Sequence, residues 1–164
     1  VFAVGGHDPI RDRPFIHVET LGGGMGASRA GPGLDGHRTH MGNTMNLPIE
    51  ASEAASPVLI ERYELVDGSG GGGRWPGGRG VRRVLRSLAD EVKFSLLFER
   101  ALHPAHGALG GEPGRVASFR LERTDGGGER LSSKTEAGSL NRGDRLLMET
   151  AGGGGWGETD AEDA

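Results

Sequence analysis

The residues of this chain best suited to chemistry lie close together between Asp35 and Glu50. Its first dozen residues hold one acid, two histidines three positions apart and two asparagines, namely Asp35, His37, His40, Asn43 and Asn46. Together such side chains can ligate a metal, move protons, or orient a carbonyl or an amide. They can equally form a polar loop in which Asx and Thr side chains bond their own backbone. Residue types alone allow both a site wall and a structural loop.

A glycine-rich segment, Gly22 to Gly26, precedes this stretch. Such a backbone must turn sharply or lie directly against another part of the chain. The segment is not a dinucleotide-binding fingerprint, because it lacks Gly-x-Gly-x-x-Gly and no helical pattern follows it. The chain also has no Walker A lysine. We therefore expect any ATP to be bound elsewhere.

Two further histidines, His103 and His106, are also three positions apart. They could join a metal site if a third ligand lay nearby. Pro104 separates them and glycines surround them, which favours a surface loop.

Glycine is the unusual part of the composition. It supplies 32 of the 164 residues, about 20% against a typical ~7%. Because a glycine costs ~1 kcal/mol in a helix interior relative to alanine, this content argues against a helical bundle. The net charge is -4 and the pI is about 5.9. These values give no electrostatic case for binding nucleic acid or an anionic membrane.

The chain contains no cysteine, which excludes disulfides, thiol nucleophiles and cysteine-ligated zinc. This composition fits a reducing compartment, and we expect a cytoplasmic protein. No apolar run reaches the ~20 residues of a membrane-spanning helix. The sequence begins with Val1 rather than Met, so we expect a fragment or the tail of a longer gene product.

Several short runs alternate apolar and polar residues, the pattern of half-buried strands. The predicted strands are Phe15–Glu19, Val58–Val66, Val92–Leu96 and Arg145–Thr150, with a hairpin of Val116–Glu122 and Glu129–Lys134. A short helix is expected at Ile49–Ala55, bounded by prolines. Residues 1–15 are expected to form a surface loop or entry segment, because Pro, Asp and Arg occur there without a period.

Two segments are harder to assign. Residues 67–80 are rich in glycine and predict a long turn or flap anchored by Trp75. Val81 to Leu88 places apolar residues at i, i+3, i+4 and i+7, the helix template, yet its length and position also allow a strand. The arginines in it, Arg82, Arg83 and Arg86, are expected to form a solvated face rather than an anion site.

Short strands separated by Gly-rich turns predict a mainly β fold, with antiparallel sheets and at most one or two short helices. We expect a single domain over residues 1–157. An acidic disordered tail is expected over residues 158–164.

Five blocks of the chain, in order, resemble the hydantoinase B/oxoprolinase family. The blocks are Val18–Ala27, Asp35–Glu50, Arg62–Leu65, Gly73–Gly78 and Glu149–Gly157. Their order across nearly the whole chain makes the resemblance much more specific than any single block. It covers only the C-terminal part of the family's B subunits, which are several times longer.

The family includes the B subunit of ATP-dependent N-methylhydantoinase, the matching half of 5-oxoprolinase, and related subunits of acetone and acetophenone carboxylases. The resemblance implies an ATP-dependent amidohydrolase that opens a hydantoin or 5-oxoproline ring. A hydantoinase A-like partner would bind ATP and phosphorylate the substrate carbonyl, so a hetero-oligomer is expected. Any divalent metal would have its ligands upstream of this chain, and the chain alone is not expected to be active.

The resemblance makes five residues candidates for the site: Asp35, His37, His40, Asn43 and Asn46. Asp35 could act as a base or could orient His37, and the sequence does not choose between these roles. Two alternatives stay open. One is a noncatalytic assembly module whose glycine segments, Trp75 and Trp156 contact other subunits. The other is a subunit of a carboxylase of the acetone or acetophenone type.

Overall fold

The computed structural model of the chain describes residues 1–38 and 45–159. It contains two antiparallel sheets, one with strand order β2-β1-β5-β8 and one with order β3-β4-β9-β6-β7. The strands are β1 (Phe2–Asp8), β2 (Arg13–Glu19), β3 (Val58–Leu65), β4 (Val81–Ser87), β5 (Val92–Leu97), β6 (Ser118–Glu122), β7 (Gly128–Arg130), β8 (Lys134–Leu140) and β9 (Arg145–Glu149), and helix α1 is Ile49–Ala55. The prediction of a mainly β fold with antiparallel sheets is confirmed.

The buried side chains of the two sheets form one hydrophobic cluster. Strand β5 shows why the alternation was informative, because Val92, Phe94 and Leu96 are buried while Lys93 and Leu97 are exposed. The hairpin of β6 and β7 is also present, although its second strand ends at Arg130. Within the described residues, α1 is seven residues long and no helix has the length and apolarity to cross a membrane.

The prediction of a loop over residues 1–15 was wrong. Strand β1 pairs with both β2 and β5, and its Phe2 and Val4 are almost fully buried. Gly5 lies where the partner strand comes close, since a Cβ at this position would meet the Phe15 carbonyl oxygen at 3.2 Å. The alternation of Phe2 and Val4 was the missed signal.

The ambiguous segment after Gly80 is strand β4, which lies between β3 and β9. Val81, Arg83, Leu85 and Ser87 are all buried and follow the strand period of two. Hydrogen bonding to β3 and β9 on both sides favours the strand. A helix this short would leave the N–H groups of its first turn and the C=O groups of its last turn without partners. The expectation that Arg83 is solvated was wrong, since its side chain is fully buried.

Residues 67–80 do not form a flap; they belong to a layer of glycine-rich backbone. The layer consists of residues 22–27, 33–36, 69–80, 105–115 and 151–157, which hydrogen-bond to one another through their backbones. Residues 152–157 lie at the centre of the layer, because their backbone groups hydrogen-bond to residues in 22–27, 69–80 and 105–115. Gly71 and Gly155, for example, donate to the carbonyls of Gly153 and Glu112, each at 2.9 Å.

The segments of this glycine layer are too close together for side chains. A Cβ on Gly24 would overlap the Gly78 carbonyl oxygen, and a Cβ on Gly153 would overlap that of Met25. The same holds for Gly77 against Gly153. The high glycine content is therefore a packing requirement of this layer rather than a sign of loose turns.

We expect Gly24→Ala to destabilise the fold and Gly26→Ala to leave it almost unchanged. The added methyl group collides with backbone at position 24, whereas at position 26 its nearest neighbour is 3.8 Å away. Overpacking of this kind costs on the order of 3 kcal/mol, which corresponds to a fall in melting temperature of roughly 6–12 °C. Calorimetry of the two variants checks this, and equal melting temperatures would contradict the close-packed layer.

Candidate functional site

The segment that precedes helix α1 and contains Asp35, His37 and Asn46, called the Asp35 loop here, is attached to the glycine layer through its backbone. Gly23 and His37 pair as an isolated antiparallel bridge, with N–H···O distances of 3.1 and 2.7 Å. Gly36 has a φ of 54°, a left-handed conformation that glycine adopts without strain. Its N–H donates to the carbonyl of Arg79 at 2.9 Å. The Gly22–Gly26 segment and the Asp35 loop thus lie in direct contact.

Arg79 engages both carboxylate oxygens of Asp35. The backbone N–H of Arg79 donates to Oδ1 at 2.6 Å, and its side-chain Nε and NH2 donate to Oδ2 at 3.0 and 2.8 Å. The hydrogen bonds from Arg79 hold the pKa of Asp35 below its usual range. This arrangement holds the loop against residues 67–80 and suits a positioning role for Asp35 better than a base role.

The other sequence-predicted residues divide into two groups. His37 and Asn46 are exposed at the loop surface, and Asn46 Oδ1 accepts a hydrogen bond from Arg38 at 3.2 Å. His40 and Asn43 lie outside the described residues.

Asp35 and Asn46 line the same pocket. Its volume is about 350 Å³, and its lining residues are Asp35, Gly36, Asn46, Tyr63, Glu64, Leu65 and Val81. Such a volume lies at the small end of the range typical of small-molecule sites, about 300–1,000 Å³. The structure therefore brings two of the five candidate residues to one concave surface, together with the end of β3 that the sequence did not single out.

A β-bulge determines which residues of β3 reach this pocket. Ile60 pairs with Leu85, but Arg62 pairs with Val84, so Glu61 is the extra residue. Before the bulge the even-numbered side chains of β3 face inward, and after it the odd-numbered ones do. Tyr63 consequently lies directly opposite Arg83, whose guanidinium is 4.7 Å from the centroid of the tyrosine ring.

Tyr63 is half-buried and carries a protonated hydroxyl at neutral pH. Burial raises the pKa of this phenol, partly offset by the positive charge of Arg83. The side chain of Asn46 is a hydrogen-bonding neighbour of the hydroxyl. The pocket thus presents an aromatic ring, a phenol and an amide next to the apolar side chains of Leu65 and Val81.

Arg83 also belongs to a buried group of charged and polar side chains between the sheets. Its NH2 lies 3.0 Å from Glu19 Oε2, and His17 Nε2 lies 3.5 Å from the same oxygen. All three side chains are at least 95% buried, and their polar atoms lack well-aligned hydrogen bonds. Sequence reasoning missed this group because His17 and Glu19 come from β2 while Arg83 comes from the other sheet.

The described residues contain no group of three His, Asp or Glu side chains that could hold a metal ion. His103 and His106 are both exposed in the loop between β5 and β6, as the surface-loop interpretation expects.

Comparison with known proteins identifies the family. A family model described as hydantoinase B/oxoprolinase matches residues 1–159. The chain belongs to the hydantoinase B/oxoprolinase family. A relative, 5-oxoprolinase PfmaA of Pestalotiopsis fici, is 33% identical over 168 residues, which cover 98% of this chain and 13% of that protein.

Solved structures support the same assignment. The ATP-dependent caprolactamase of Pseudomonas jessenii is 27% identical with a TM-score of 0.79, and the match covers 96% of this chain and 28% of that one. Acetone carboxylase in its nucleotide-free structure has a TM-score of 0.80 at 19% identity, over 95% of this chain and 25% of that one; this likeness is one of fold. The chain thus spans a small part of the length of each of these three proteins.

We expect the ion pair of Asp35 and Arg79 to stabilise the chain in a pH-dependent way. A lowered folded-state pKa means that the charged carboxylate stabilises the fold above its ordinary pKa of about 3.9, and that this contribution disappears as the pH falls through the folded-state value. Asp35→Asn should therefore cost up to about 1 kcal/mol at pH 7, given partial solvent exposure, and progressively less as the pH falls below the ordinary pKa of about 3.9. Urea unfolding at a series of pH values from 7 downward measures this. Glu136→Gln, which alters an exposed carboxylate, is the control, and a pH-independent cost would contradict the interpretation.

Removing one partner of the buried pair should be far more harmful. Glu19→Gln leaves Arg83 with an uncompensated buried charge, so we expect a loss of about 3–5 kcal/mol in unfolding free energy. The double variant Glu19→Leu with Arg83→Met should recover much of this loss, because both charges are then gone. Lys134→Ala removes the exposed pair with Glu99 and should cost far less, because solvent screens an exposed ion pair. Denaturant unfolding of the three proteins tests this, and equal losses in the single-site variants would contradict it.

Proposed function

We propose that this chain is part of an ATP-dependent cyclic-amide hydrolase of the hydantoinase B/5-oxoprolinase type, which opens a hydantoin or 5-oxoproline ring with a hydantoinase A-like partner subunit. The observation that carries the proposal is the family match over residues 1–159. It is supported by the relative named 5-oxoprolinase and by the structural neighbour named ATP-dependent caprolactamase.

The Asp35 loop is the part of this chain that we assign to the site. Asn46 and the Tyr63 hydroxyl line the pocket and offer hydrogen bonds to an amide. His37 is exposed on the same loop as Asn46, next to the pocket residue Gly36 in the chain. Histidine can exchange a proton near neutral pH, so His37 is suited to acid–base work on a ring nitrogen or an attacking water. Asp35 keeps the loop in place through Arg79.

ATP does not fit the pocket beside the Asp35 loop. Asp35 and Glu64 are the only charged lining residues of this pocket among those that the structure describes, and two carboxylates repel a triphosphate. A metal ion does not fit the described residues either, since they offer no group of three ligands. Because the family assignment implies an ATP-binding partner, we assign nucleotide binding to the partner subunit, and any metal ligands to residues outside the described ones.

A noncatalytic assembly module is the second candidate. The engagement of both Asp35 oxygens by Arg79 favours it, because a structural ion pair at the motif is what a purely structural loop would contain. In that case the chemistry resides elsewhere in the complex.

The kinetic test uses the complete gene product with its ATP-binding partner subunit. ATP-dependent hydrolysis of hydantoin and 5-oxoproline is measured for wild type and for His37→Ala, His40→Ala and Asn46→Ala. We expect at least one histidine variant to lose about 100-fold or more in kcat while the complex still assembles. His103→Ala, in the exposed loop between β5 and β6 and outside the lining of this pocket, should retain full activity.

The outcomes separate the candidates. Full activity in all three variants would contradict the site assignment and support the assembly module. Turnover that depends on bicarbonate rather than water would instead identify a carboxylase.

A further inference from the structure

Strand β2 exposes its apolar side chains and buries its polar ones. Ile16 and Val18 are 75% and 56% exposed, whereas His17 and Glu19 are each 5% exposed. In an antiparallel sheet with one face in water, the outward residues are commonly polar. A one-residue shift of register would turn Ile16 and Val18 inward, but it would also separate Glu19 from Arg83, its buried partner at 3.0 Å. The fold therefore places two large apolar side chains of β2 outside the core.

The strands beside β2 extend this exposed apolar surface. Ala3 and Gly5 of β1 lie directly opposite Val18 and Ile16, and neither is fully buried. On the far side of β1, Leu97 of β5 is 61% exposed. We call these five residues the outer face of the four-stranded sheet. The outer face extends across three neighbouring strands, since β1 pairs with both β2 and β5.

A shallow groove of about 290 Å³ lies on the outer face. Ala3 and Gly5 of β1 line it, and so do Ile16 on one side of β1 and Lys93 on the other. Because Ala3 and Gly5 are small, large side chains from another layer can enter between the two flanking strands. The charged residues in the described lining are Lys93 and Glu136, one of each sign. The groove thus has no net charge, which suits an apolar occupant better than an ionic one.

We propose that the outer face packs against an apolar surface of further polypeptide belonging to the same enzyme subunit. This inference rests on the proposed function, in which the chain is part of a larger enzyme, and it identifies the surface that joins the chain to the rest. Solved structures support this occupant. The match covers 28% of the caprolactamase chain and 25% of the acetone carboxylase chain, so about three quarters of each of those chains lies outside this fold. A further layer on the second face of the sheet would bury its apolar residues.

Other occupants suit the outer face less well. A second copy could extend the sheet through the edge of β2, but Pro14 lies in this strand and has no N–H to donate. An occupant from solution also loses translational and rotational freedom on binding, which a segment of the same subunit does not. The geometry therefore favours polypeptide of the same subunit.

Cysteine labelling of the complete gene product tests the proposal. Residues 1–164 contain no cysteine, so Ile16→Cys and Val18→Cys each introduce one thiol into this region, and peptide mapping locates the label. Asp125→Cys, at the exposed turn between β6 and β7, is the control. Each maleimide-labelling rate is divided by the rate for the same variant unfolded in urea. We expect the two β2 variants to be labelled at least 10-fold more slowly than the control, with or without the partner subunit and at every protein concentration.

Three labelling results would overturn the proposal. Labelling of the β2 variants at the control rate would show that the outer face is in contact with water. Protection that appears only with the hydantoinase A-like subunit would make that subunit the occupant. Protection that increases with protein concentration would indicate a second copy.

A stability measurement tests the same interface without labelling. Val18→Asp in the complete gene product would bury a charge against apolar side chains, and we expect its melting temperature to fall by roughly 5 °C or more. Arg120→Asp places the same side chain at an exposed position of β6 in the other sheet, and it should change the melting temperature by less than about 2 °C. An effect of equal size in the two variants would contradict the proposal.

Failure of this inference differs from failure of the proposed function. Unprotected cysteines in a complex that hydrolyses cyclic amides with ATP would overturn the inference alone. Protected cysteines in a gene product that shows no such hydrolysis would support the inference, and the proposed function would then fail alone.

Discussion

Direct contact between backbones is the constraint on which this structure depends. In the glycine layer, segments from five parts of the chain lie so close that a Cβ would overlap a neighbouring carbonyl. Their backbone groups pair with one another outside the two sheets, so few are left without a partner in this compact region. The central residues 152–157 bond to segments that are far apart in sequence. The layer can therefore form only when all of those segments are in place.

The glycine layer also determines where the candidate pocket forms. Thr150 joins the layer to the five-stranded sheet, because its hydroxyl donates to the Gly22 carbonyl at 2.8 Å and accepts from the Val81 N–H at 2.9 Å. Gly36 and Asp35 are held against Arg79 on the same side. The pocket lies where this loop meets the ends of β3 and β4. Its walls are consequently rigid backbone on one side and strand side chains on the other.

Ion pairs lie on two sides of the pocket, one side at its rim and the other behind Tyr63. Arginines outside the lining neutralise its two carboxylates, and the buried pair of Arg83 and Glu19 lies behind Tyr63. A buried pair of this kind is costly to desolvate and is weak evidence for stability by itself. Here it joins the two sheets and holds the one aromatic ring of the pocket, so its position links the core of the fold to the candidate site.

The sequence by itself determined the β architecture, most strands, helix α1 and the family, because these depend on local alternation, on proline positions and on ordered motifs. It also singled out the Asp35 loop, but it could not show that Asp35 and Asn46 share a pocket with Tyr63. Only the tertiary structure decided that Val81–Ser87 is a strand, that Arg83 is buried opposite Glu19, and that the glycines form a packed layer. These features depend on contacts between residues distant in the chain, and the position of Tyr63 depends on the bulge at Glu61. A one-residue change of register reverses which side chains face inward, and the local alternation of apolar and polar residues does not predict it.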